Sequence, residues 1–213
     1  MKRMTILTLA ILMLAGISAY AQGGAKKSVA VDGDFTSIGI GIPAQVFLMK
    51  GACKVEVEGP ESALSEIKYE VEKGNLKVNS KNKNSWKNGI KGVTLYITMP
   101  EIKGISLAGS GDITTKDAFE HQGDIDISIA GSGDIKLMGS GKNIKVSIAG
   151  SGNADLADFN GGTCSVDIAG SGDTKVGEME ALNVSIAGSG DVRYKSCSKV
   201  SSSIAGSGKV AKL

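Results

Sequence analysis

The sequence predicts an all-β protein whose C-terminal half is a stacked β-solenoid, and three observations carry that prediction. Ala-Gly-Ser-Gly occurs six times, beginning at Ala108, Ala130, Ala149, Ala169, Ala187 and Ala205, with spacings of 22, 19, 20, 18 and 18 residues. Around each copy, β-branched and aliphatic residues alternate with small or polar ones, the period of a strand with one buried face. The segment spanning each corner has a constant 13 positions, so the variation falls in connections of 9, 6, 7, 5 and 5 residues. Stacking accounts for that division. Rungs lie ~4.8 Å apart and must keep register, whereas a connection outside the ladder is expected to bulge freely.

Taken in order, residues 1–21 read as a signal peptide, 22–104 as an N-terminal β cap region, and 105–213 as β-helix repeats. Lys2 and Arg3 precede an apolar run from Ile6 to Ile17, and Ala19-Tyr20-Ala21 supplies a small-residue cleavage site. The mature chain is therefore expected to begin at Gln22 and to be exported, to the periplasm, the outer-membrane surface or the extracellular space. In the next region, 37–42, 44–49, 54–58, 67–72, 76–80 and 93–99 have strand patterns, and 61–66 suits one helical turn. Gly59-Pro60 and Lys73-Gly74-Asn75 supply the turns.

In the repeats, the residue before each corner alanine is Leu107, Ile129, Ile148, Ile168, Ile186 or Ile204, and two residues earlier stand Ile105, Ile127, Val146, Val166, Val184 and Ser202. After the corner, Ile113, Ile135, Ala154, Thr174, Val192 and Val210 form another inward column. In the last unit Ser202 and Lys212 occupy inward positions, as a terminal rung requires.

Charge and cysteine content narrow the function classes. The mature chain balances 22 basic against 22 acidic residues, which removes the positive field a nucleic-acid partner would need. Of three cysteines, Cys164 replaces an isoleucine in a core column and Cys197 falls two rungs later. Two rungs span ~9.6 Å, beyond the ~7 Å reach of a disulfide. Cys164 is expected to be a buried thiol.

The N-terminal pattern Phe35-Thr36-Ser37-Ile38, Val55-Glu56-Val57-Glu58-Gly59, Gly74-Asn75-Leu76-Lys77-Val78 and Ile97-Thr98-Met99-Pro100 leads into Ile105-Ser106-Leu107-Ala108-Gly109-Ser110-Gly111-Asp112. That order resembles the auto-transporter adhesin "head GIN" domain family, a domain of unknown function common in Bacteroidetes, over residues 28–210. The resemblance implies a right-handed parallel β-helix exported to the envelope, of about six rungs on an N-terminal β cap. It brings no catalytic residues.

Three features are candidates for chemistry. The position after each corner holds Asp112, Asp134, Asn153, Asp173, Asp191 and Lys209. Carboxylates stacked one rung apart repel by ~0.9 kcal/mol even in water, so something must offset that cost. Hydrogen bonds from turn N–H groups would do so. Calcium held by Asp112, Asp134, Asp173 and Asp191 is the alternative. The 19-residue recurrence and the Asn153 and Lys209 interruptions separate this column from the nonapeptide repeat of calcium β-rolls. No other cofactor is suggested.

The second feature is the loop holding Trp86, with Lys83 and Lys87 beside it. An aromatic among lysines and asparagines suits a sugar ring or a lipid headgroup, and a loop folded back on the cap is the alternative. The third is an outward ladder from Ser106 and Ala108 to Ser203 and Ala205, flat enough for self-association. Short connections, one histidine and a single repeat arginine, Arg193, argue against an enzyme. The expectation is an exported, non-enzymatic, adhesin-like solenoid binding a glycan or an envelope macromolecule. A purely structural envelope protein and a calcium-stabilised carbohydrate-binding solenoid are the alternatives.

Overall fold

The computed structural model describes residues 26–82 and 90–213; residues 1–21, expected above to be a signal peptide, lie outside them. The described chain is all-β apart from one helical turn, and its strands form one continuous 15-stranded sheet that winds into a solenoid. Six corners joined by five connections make about five turns.

Strands β1 (Lys27–Val29), β2 (Ser37–Ile40), β3 (Ala44–Lys50) and β4 (Lys54–Glu58) precede helix α1 (Glu61–Leu64). Strands β5 (Ile67–Glu72), β6 (Asn75–Ser80) and β7 (Val93–Met99) follow, and the first corner repeat is β8 (Gly104–Gly109) with β9 (Asp112–Thr115). The rest of the chain consists of β10 (Phe119–Gly131), β11 (Asp134–Gly150), β12 (Asn153–Gly170), β13 (Thr174–Gly188), β14 (Val192–Gly206) and β15 (Val210–Lys212).

The register is the one that the repeat alignment demands. Ile129, Ile148, Ile168, Ile186 and Ile204 are direct partners in successive parallel strands. The column continues through Leu107 to Ile40 and Val78, so eight aliphatic side chains stack along one line. All but Ile204 are buried. Each such burial contributes ~1.5–3 kcal/mol, and a slip by one residue would turn every one of them to solvent.

The N-terminal region is a mixed sheet that both extends the stack and closes it. β2 and β3 make a rung of their own, parallel to β8 and β9. The next rung outward is β6 with β7, parallel to β2 and β3, so stack order departs from chain order. Antiparallel strands then cover that end: β5 on β6, β4 on β7, and β1 on β4. Lys73 and Gly74, both at positive φ, turn the β5–β6 hairpin in two residues. Lys27 of β1 pairs with Glu61 of α1, whose Ala63 is buried.

The connections differ from the expectation of a free bulge, because they form a third parallel ladder. Phe119 pairs with Gly139, and Gly139 with Phe159. Both rings are fully buried, which requires the returning chain to lie on the core. Register shifts sit where connection lengths change, at Phe119/Gln122, Lys136/Met138 and Leu156/Gly161. The two five-residue connections pair without a shift, from Glu178–Ser196 to Ala181–Lys199. Cys53, Cys164 and Cys197 are free thiols. Burial, with Cys197 adding a smaller effect, pushes the Cys164 thiol up to about 12.

Candidate functional site

The corner positions the site. Its first glycine takes a left-handed φ of 140° at Gly170, and its second, Gly172, passes so close to the preceding rung that a Cβ would stand 2.0 Å from the Gly152 carbonyl oxygen. Ser171 N–H donates to the Gly150 carbonyl at 2.9 Å, and the same bond recurs from Ser151, Ser189 and Ser207 to the preceding rungs. The residue after each corner therefore points outward at a fixed height, and the face beyond the corner carries two regular columns.

The first column runs Gln45, Asp112, Asp134, Asn153, Asp173, Asp191 and Lys209. From Asp134 to Lys209 its members are tied rung to rung. Asp134 Oδ1 accepts from the Asn153 backbone N–H at 3.1 Å and side-chain amide at 2.8 Å. Asn153 Oδ1 accepts from Asp173 N–H at 2.9 Å, Asp173 Oδ1 from Asp191 N–H at 2.8 Å, and Asp191 Oδ1 from Lys209 N–H at 3.2 Å. The donors belong to the next rung rather than to each residue's own turn, so the column acts as a clamp along the stack. Asn153 separates Asp134 from Asp173, and Arg193 and Lys209 flank Asp191 at 3.2 and 3.8 Å. Among the described residues no group of three or more His, Cys, Asp or Glu side chains is disposed to hold a metal ion.

The second column lies two residues further along each rung: Tyr96, Phe47, Thr114, Lys136, Asp155, Lys175 and Arg193, successive partners in register. Lys136 and Lys175 are exposed and make no ion pair among the described residues. Between the columns runs a groove of about 600 Å³ reaching from Gln45 to Arg193. In the second column, next to Thr114, the Phe47 and Tyr96 rings stand 5.6 Å apart, with Lys116 Nζ 4.0 Å from the first and Lys26 Nζ 3.5 Å from the second. Desolvation and a 3.2 Å hydrogen bond to the Glu58 carboxylate push the Tyr96 phenol upward. The face offers alternating charge, amide and hydroxyl groups and two aromatic rings on a rigid floor, an arrangement that suits binding.

The structure thus brings Asp112, Asp134, Asp173 and Asp191 into one column. Trp86, Lys83 and Lys87 lie outside the described residues. The repeat alignment places Lys136, Asp155, Lys175 and Arg193 of the second column as outward residues two positions beyond the corner column. The Phe47–Tyr96 pair was not, because β3 and β7 meet only through the non-sequential stacking of their rungs.

The fold and the face define a non-sequential parallel β-solenoid capped by antiparallel strands. The family model described as "Putative auto-transporter adhesin, head GIN domain" matches residues 34–198, and the chain belongs to that family. A crystal structure of a "putative adhesin" from Bacteroides fragilis is 20% identical, with a TM-score of 0.68, covering 89% of this chain and 96% of that one. A "putative lipid binding protein" from Parabacteroides distasonis is likewise 20% identical over 89% of this chain and 96% of its own, with a TM-score of 0.53. Both likenesses establish the fold. No curated protein is similar enough to match this chain.

Proposed function

We propose that this is an exported, non-enzymatic binding protein of the cell envelope, and that it grips an extended glycan along the face beyond the corners. The observation that carries this reading is the groove between the two outward columns. It crosses six successive rungs from Gln45 to Arg193, so its hydrogen-bonding groups repeat at the rung spacing of ~4.8 Å. Unpaired Lys136 and Lys175, with Thr114 beside them in the same column, give a chain of hydroxyls and carboxylates hydrogen-bonding partners along the face. Phe47 and Tyr96 continue the second column past Thr114, with Lys116 and Lys26 seated over their rings. Asp134, Asp173 and Asp191 accept backbone N–H groups of the next rung, which leaves them poorly placed for acid–base work. The adhesin description of the family agrees with a binding role at the surface.

A glycan array probed with the mature protein and with the Lys136→Ala/Lys175→Ala variant tests the reading, together with cell fractionation. Binding to one glycan class, lost in the variant, is the expected result. Silence across the array with a periplasmic location would replace it with a structural role in the envelope.

A further inference from the structure

We infer that the groove between the two outward columns selects a zwitterionic glycan, one whose repeat carries both an ammonium and a carboxylate group. This rests on the glycan reading above and names the class of chain that fits it. Three observations meet in the groove. The first is a pair of matching slots. Asp134 and Lys136 share one rung, Asp173 and Lys175 share the rung after next, and all four residues line the groove. Within each pair the residues are two apart on an extended strand, so they stand ~7 Å apart on the same face. Neither pair closes into an ion pair. One rung further on, the same two positions hold Asp191 and Arg193, whose side chains do meet, at 3.2 Å. The two earlier slots therefore keep a negative and a positive group apart.

The second is what each group already does. Asp134 Oδ1 and Asp173 Oδ1 each accept a backbone N–H of the next rung, while Oδ2 of each makes no hydrogen bond among the described residues. The clamp fixes the carboxylate and leaves one oxygen for a cation. Lys136 and Lys175 are exposed, and their ammonium groups are free for an anion. The rung between the slots has a different character. Asn153 is uncharged, and Asp155 Oδ1 accepts the Ala157 N–H of its own strand at 3.1 Å.

The third is spacing and sign. The slots recur after two rungs, ~9.6 Å, close to the length of an extended disaccharide. A disaccharide repeat lying along the stack therefore presents the same two charges to Asp134 and Lys136, and then to Asp173 and Lys175. A purely anionic chain would gain the two lysines but lie beside Asp112, Asp134 and Asp173, which line the same groove. A purely cationic chain would meet the converse at Lys136 and Lys175. An ammonium and a carboxylate in one repeat turn both repulsions into attractions, and like-charge contacts then discriminate against the simpler chains.

The probes are heparosan oligosaccharides, which alternate glucuronate with N-acetylglucosamine, and the same chains after N-deacetylation, which puts an ammonium on every second sugar. Both are titrated calorimetrically into the mature full chain at fixed ionic strength and mildly acidic pH, where the free amine is protonated. The expected result is that the N-deacetylated chain binds about tenfold tighter or more. Asp134→Asn/Asp173→Asn should abolish that preference without moving the melt, because Asn153 already makes the same rung-to-rung bond in this column. Lys136→Ala/Lys175→Ala should weaken both chains. Equal or tighter binding of the N-acetylated chain would overturn the inference, as would a preference that survives Asp134→Asn/Asp173→Asn. Binding of phosphatidylethanolamine vesicles in place of either oligosaccharide would overturn it too. If neither chain binds while the array shows another glycan held through Lys136 and Lys175, this inference fails and the groove reading stands. Silence of the chains and the array together defeats both.

Discussion

The two glycines of each corner answer different demands, and that difference is testable residue by residue. Gly170 needs both its left-handed φ and the space beneath it, where a built Cβ would stand 2.1 Å from the Gly150 carbonyl oxygen, whereas Gly172 needs the space alone, with the Ile148 Cγ2 atom also only 2.9 Å from a built Cβ. Gly172→Ala should cost ~3 kcal/mol or more, because the obstructing atoms are backbone and a packed side chain. Gly123→Ala, where a Cβ would meet nothing within 4 Å, should change stability by less than ~0.5 kcal/mol in the same thermal melts. Cys164 gives a pH signature. Its folded pKa is raised to about 12 against an ordinary 9.0, so above pH 9 the unfolded chain loses a proton that the folded chain keeps. Stability should therefore fall as pH rises from about 9 towards 12. Cys164→Val, which keeps the bulk and removes the proton, should flatten that decline in melting temperature. Tyr69, also raised to about 12 by burial, leaves a smaller residual loss from pH 10 upward.

At the scale of the element, register and length tolerate change in different places. One residue inserted between Val146 and Ser147 would move Ile148 off its partners Ile129 and Ile168 and turn the corner glycines out of line. The expected outcome is loss of the cooperative melt. The same insertion after Ala118 falls in an exposed stretch between β9 and β10, within a connection that already carries a register shift, and should cost less than ~1 kcal/mol. The corner column belongs to this scale too, since the Asp134, Asn153, Asp173 and Asp191 side chains each clamp the next rung. Asp173→Ala removes the acceptor for Asp191 N–H and should lower stability by ~1 kcal/mol. A chelator should leave the wild-type melt unchanged if the N–H ladder alone offsets the repulsion; a drop of several degrees would restore calcium to the column.

For the whole molecule, the consequence is a gradient of protection. The rungs of β10 to β13 have neighbours on both sides, the β6–β7 rung is covered by antiparallel strands, and the last rung is covered on one side only. Opening should therefore begin at β14–β15 and run inward. Native-state hydrogen exchange of the unliganded chain should find amides of 199–212 fastest among the strands, and those of 144–170 slowest.

The solenoid and most of its register were legible from six copies of one tetrapeptide, because a stack repeats each contact and so writes it into the sequence six times. The inward columns, the corner glycines and the buried Cys164 all follow from that repetition. The order of the N-terminal rungs was not legible: β2–β3 lies between β6–β7 and β8–β9, and no period marks a rung that occurs out of turn. The partners of the aspartates were hidden for a related reason. An acceptor beside a glycine turn has donors above it and around it, and only the rise of one rung on the next decides which N–H lies within reach. Sequence alone determined what repeats. The tertiary structure decided how the stack is closed at its N-terminal end and where the Phe47–Tyr96 pair forms, since both depend on contacts made only once.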